Sequence, residues 1–110
     1  MEEFPEDLNR ETCLKNLEKN QSEMLKEVRN NFYNTIKKSV ENCDSYVKLE
    51  FPEKMWTENK IIIISELLQR FGVLKIKQQN TEHDVKKTLQ IGVKDIPKNV
   101  TQVIIEFNRN

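Results

Sequence analysis

Residues 9–43 read NRETCLKNLEKNQSEMLKEVRNNFYNTIKKSVENC, and the spacing within this stretch decides the architecture. Its apolar residues fall at Leu14, Leu17, Met24, Leu25, Val28, Phe32, Ile36, Val40 and Cys43, with Lys, Glu, Asn and Gln between them. Intervals of three, four and seven are helical periodicity, and no glycine or proline interrupts them. Asp7 or Asn9 can cap the free amides of the first turn, and Glu11 suits the positive end of the helix dipole. The spacing therefore predicts a helix over residues 9–42, roughly 50 Å long at about 1.5 Å per residue. A globule of this size has a radius of gyration near ~13 Å, so such a rod must project beyond its own domain. Its outer part, Leu14 to about Met24, still carries an apolar stripe. Either the helix breaks or another chain buries that stripe. Gln21 stands where a heptad wants an apolar residue, a device that can set the register of a helix pair.

Downstream, Asn42-Cys43-Asp44-Ser45 supplies turn formers that end the helix. Tyr46 to Phe51 alternates strictly and reads as a half-buried strand with Val47, Leu49 and Phe51 inward, ended by Pro52. Residues 53–70 predict a second helix, with Thr57 as a possible cap and Gly72 as its left-handed stop. The four isoleucines 61–64 would suit a strand locally, but Ser65 to Arg70 continues the helical pattern with no turn signal. Residues 73–78 form a second strand with Leu74 and Ile76 inward, and 79–86 read as a polar loop. A third strand over 88–94 turns Leu89, Ile91 and Val93 inward, and a fourth over 100–108 does so with Val103, Ile105 and Phe107. The expected fold is α+β, a two-layer sandwich in a single domain of residues 1–110. A long N-terminal helix (9–42) precedes a β-α-β-β-β unit (45–108), with both helices on one face of a four-stranded mixed sheet. The strand–helix–strand unit is expected as a right-handed parallel crossover and the last two strands as an antiparallel meander.

Composition narrows the functional classes. The 110 residues carry 18 basic and 18 acidic side chains, and 36% are hydrophobic. A membrane span needs roughly 20 mostly apolar residues, far more than the longest apolar run, Ile61 to Ile64. The acidic start, Glu2-Glu3-Phe4-Pro5-Glu6-Asp7, is the wrong chemistry for a secretory or mitochondrial leader. Cys13 and Cys43 lie thirty positions apart on one predicted helix, too distant for a disulfide, and no CxxC motif exists. Reduced thiols in a cytoplasmic or nuclear compartment are expected. There is no alanine, and 14 lysines stand against 4 arginines, a bias that an AT-rich genome produces. In style the chain resembles small accessory proteins of phages and large DNA viruses with AT-rich genomes. That likeness transfers no residue roles.

No catalytic, cofactor or metal constellation is visible. His83 is the only histidine and sits between Glu82 and Asp84 in the expected loop, where it reads as solvated. With glycine only at Gly72 and Gly92, no phosphate-binding loop or nucleophile elbow can be built. The expected function is a non-enzymatic interaction module that self-associates through the N-terminal helix, using Leu14, Leu17, Met24, Leu25 and Val28. The pair is expected as an antiparallel homodimer, because the Glu-rich and Lys-rich ends of the helix then meet. A heterologous protein partner could add to it; a membrane is not expected. The alternative is a nucleic-acid module on the outward sheet face, using Tyr46, Lys48, Lys75, Lys77 and Lys94. Lysines can hold phosphates there and a tyrosine can stack on a base.

Overall fold

The computed structural model describes residues 3–86 and 96–107. The first helix, α1, runs unbroken over Arg10–Glu41. Asn9 caps it, its side-chain oxygen accepting from the Thr12 amide at 2.9 Å. At the other end Cys43 takes φ 61°, and the amides of Cys43 and Asp44 donate to the carbonyls of Val40 and Ser39. That pair of hydrogen bonds with a left-handed residue is the Schellman stop, and it needs no glycine here. The molecule measures 68 × 31 × 26 Å with a radius of gyration of 17.3 Å. This is well beyond the ~13 Å of a compact chain, as a protruding rod requires.

Strand β1 (Tyr46–Glu50) follows, then helix α2 (Thr57–Phe71), closed by Gly72 at φ 80°. Strands β2 (Val73–Gln78), β3 (Thr81–Lys86) and β4 (Gln102–Glu106) complete the fold. Both helices cover one sheet face in the expected two-layer α+β arrangement. The core between the layers joins Val28 and Phe32 of α1, Ile63, Ile64, Leu67 and Leu68 of α2, and the inward residues of the strands. Val47, Leu49, Leu74, Ile76, Val103 and Ile105 all point inward as the alternation predicts. Lys60 ties α2 to the segment before β4, its Nζ donating to the Val100 carbonyl at 3.0 Å.

Two expectations about the sheet need correction. The strand order is β1-β4-β2-β3, and every described pair is antiparallel rather than mixed. β1 and β2 do share a direction, but β4 inserts between them, so the expected direct parallel contact is absent. The reason is in the residues of β4: Val103 and Ile105 bury on one face and Ile104, 7% exposed, on the other. A strand with apolar side chains on both faces belongs at the centre of a sheet. The second correction concerns residues 79–86. They are a two-residue turn, Gln79-Asn80, followed by β3 paired to β2 from Gln78↔Thr81 to Val73↔Lys86. Only Val85 of β3 is buried, which is why the stretch reads as polar loop. The expected strand over 88–94, with Leu89, Ile91 and Val93, lies outside the described residues.

Candidate interaction surfaces

Three surfaces follow from this geometry, and the first is the protruding end of α1. The five residues expected to drive self-association do not share one environment. Val28 is 6% exposed inside the core, and Met24 and Leu25 pack against that core from the side. Leu14 and Leu17 remain 47% and 50% exposed. The boundary between covered and uncovered stripe is Gln21, and it is a lock rather than a register mark. Its Nε2 donates to the Lys54 carbonyl at 2.8 Å, and its Oε1 accepts from the Trp56 amide at 2.9 Å. Trp56 is the N-cap of α2 and brings no side-chain cap of its own. The glutamine of one helix thus satisfies an orphan amide at the start of the other. Asn59 adds a bond from its Nδ2 to the Gln21 carbonyl at 3.2 Å. Beyond this lock the arm is solvated, with Phe4 and Leu8 exposed as well.

The second surface is a mostly apolar groove of about 700 Å³ between α1 and α2. Phe32, Ile36, Ile63 and Leu67 line it, and Tyr33, Val40 and Phe71 stand exposed along its walls. Arg29 reaches across to Glu66 in a two-pronged ion pair, 2.9 and 2.7 Å. Lys26, Lys37 and Arg70 complete a basic rim against which only Glu41 and Glu66 are acidic. The groove is not evident in the sequence, because Ile36 and Val40 continue the single stripe that runs from Leu14. The available signal was a second line, Arg29-Tyr33-Ile36-Val40, stepping by four, three and four beside the first.

The third surface is the outward face of the sheet. Cross-strand register sets Lys75 opposite Asp84 and Lys77 opposite Glu82. Lys75 also pairs with Glu106 at 2.7 Å. The Lys48 ammonium lies 5.7 Å from the centre of the Tyr46 ring, so the one aromatic on the expected nucleic-acid face has a cation over it already. Lys94 is outside the described residues. Ile104 is flanked by Lys48 and Lys75 in the register, and its burial fits cover by their aliphatic stems. Four lysines, Lys48, Lys75, Lys77 and Lys86, therefore share a face with Glu50, Glu82, Asp84 and Glu106, and the charges cancel.

The hydrogen bond and charge of Glu106 hold the Lys75 pKa above its ordinary 10.5; desolvation opposes them, and Asp84 and Glu82 add smaller raising contributions. A raised pKa contributes stability that is fully present below the ordinary lysine range and lost as pH rises through the folded value. Glu106→Gln is expected to return the Lys75 titration toward 10.5, read by side-chain nitrogen NMR, with little change in melting temperature because the pair is exposed.

The remaining candidates stay apart. His83 is exposed on β3 opposite Ile76, on the other sheet face from Glu82 and Asp84. Cys13 and Cys43 are free and exposed. Among the described residues, no three His, Cys, Asp or Glu side chains gather as a metal site. Nor is any described helix long and apolar enough to cross a membrane. No protein-family model, no curated protein and no solved structure matches the chain.

Proposed function

We propose that the chain is a non-enzymatic protein-interaction module that self-associates through the N-terminal arm of α1. The observation that carries this reading is the continuation of one apolar stripe past the end of its own core: Val28 is covered, while Leu14 and Leu17 are half exposed on the same uninterrupted helix. Covering the remaining half of two leucines gains about 1 kcal/mol each, which favours association over solvation of the arm. The antiparallel homodimer remains the preferred arrangement, and a cytoplasmic or nuclear setting goes with it, where exposed thiols persist reduced. The nucleic-acid alternative draws less support, since its lysines are matched by carboxylates on the same face.

The test is the solution mass by light scattering of the full chain and of Leu14→Glu/Leu17→Glu. The full chain is expected to be dimeric at tens of micromolar and the variant monomeric; at protein concentrations too low for dimerisation the two should unfold at the same urea concentration, because both leucines are exposed on the arm. A monomeric full chain sinks the reading. Deleting residues 1–26 would be a poorer test, because it removes Gln21 and Met24 and so damages the fold as well as the arm.

A further inference from the structure

The proposed self-association leaves open what the arm contacts, and the geometry points to a receiver: the arm of one copy seats in the α1–α2 groove of a second copy. This rests on the reading just given and goes further, by assigning the opposite surface.

Three observations carry it. The first is charge. Residues 3–18 hold Glu3, Glu6, Asp7, Glu11 and Glu18 against Arg10 and Lys15, so the arm is acidic. The groove rim holds Lys26, Arg29, Lys37 and Arg70 against Glu41 and Glu66, so it is basic. The second is apolar fit. Phe4, Leu8, Leu14 and Leu17 are exposed on the arm, while Tyr33 and Val40 are 64% and 57% exposed along the groove.

The third observation excludes the arm's own groove. Arm and groove wall belong to one continuous helix, Arg10–Glu41. Leu14 and Tyr33 are thus held roughly 28 Å apart along a straight rod by the rise of about 1.5 Å per residue. A chain cannot fill its own groove without breaking α1. Two copies can fill each other's, and reciprocity fixes the direction. Each arm lies beside residues 26–41 of its partner only if the rods run antiparallel, which gives a closed two-fold dimer with two equivalent contacts. The Glu6-Asp7 end of each arm then meets the Lys37 and Arg70 end of the groove.

A charge-swap experiment on full-length chains tests this. One variant reverses the groove (Lys37→Glu/Arg70→Glu), and another reverses the arm end that meets it (Glu6→Lys/Asp7→Lys). Each alone is expected to dimerise at least tenfold more weakly in sedimentation velocity. An equimolar mixture of the two should recover the dimer, because both cross-contacts are then complementary, and so should one chain carrying all four changes. If the unaltered chain is dimeric but the groove variant dimerises as well as it does, the arm pairs elsewhere. The groove assignment then falls while self-association stands. Two weakened variants whose mixture fails to recover also overturn it, and a monomeric unaltered chain overturns both readings. A second measurement does not depend on the reversals. A nitroxide on Cys13, with Cys43→Ser, should broaden amide signals of Tyr33 to Val40 in an unlabelled-nitroxide, nitrogen-15 partner. Broadening confined to the partner's residues 10–20 would place arm against arm and sink the groove.

Discussion

Gln21→Leu is expected to destabilise the fold by about 2–3 kcal/mol, although it exchanges a polar residue for an apolar one of similar size in a helix. The change removes the bonds to the Lys54 carbonyl and the Trp56 amide and leaves both backbone groups facing an apolar side chain. A partly buried backbone group without a partner costs about 1–3 kcal/mol, offset in part by the added apolar surface. The sign is what matters. If Gln21 were a register residue in a helix pair, leucine would strengthen the pair and raise the melting temperature. As the lock between α1 and the start of α2, it must do the opposite. Urea unfolding at low protein concentration separates the two, and a stabilised Gln21→Leu chain would refute the lock.

Leu68→Ala should have the larger effect, about 3–5 kcal/mol, since the side chain is fully buried and sits where α2 meets the sheet. A domain of this size has roughly 5–15 kcal/mol in total, so the variant is expected to melt well over 10 °C lower. Ile62 gives the contrast on the same helix. It is exposed on the face away from the sheet, and Ile62→Ala should change stability by well under 1 kcal/mol. Comparable losses at the two positions, measured by thermal unfolding, would mean that α2 does not present the face described.

Helices and inward strand residues were legible because each has a period that survives without tertiary context. The stripe from Leu14 to Val40, the alternation of Val47 and Leu49, and the Gly72 stop are local signals, and all three lie where they were expected. Misread features depend on neighbours. Thr81 to Lys86 presents only one buried side chain, so an outer strand in it is indistinguishable from a polar loop until β2 is seen beside it. The place of β4 was available in principle, because Val103-Ile104-Ile105 has no polar residue for an outward face. Gln21 shows the limit of heptad reasoning: a polar residue in an apolar stripe has the same spacing whether it meets another copy or the chain's own backbone. The groove was hidden for a related reason, since its two walls are 22 to 45 positions apart in sequence and meet only once α2 has packed beside α1.

The position of β4 also governs the order of events during synthesis. β1 and the β2–β3 hairpin can each emerge from the ribosome early, but neither can bond to the other until residues 102–106 have been made and threaded between them. Until then the edges of β1 and β2 that pair with β4 have only water to bond to. Closure is a late, single event that completes the sheet and its buried layer together.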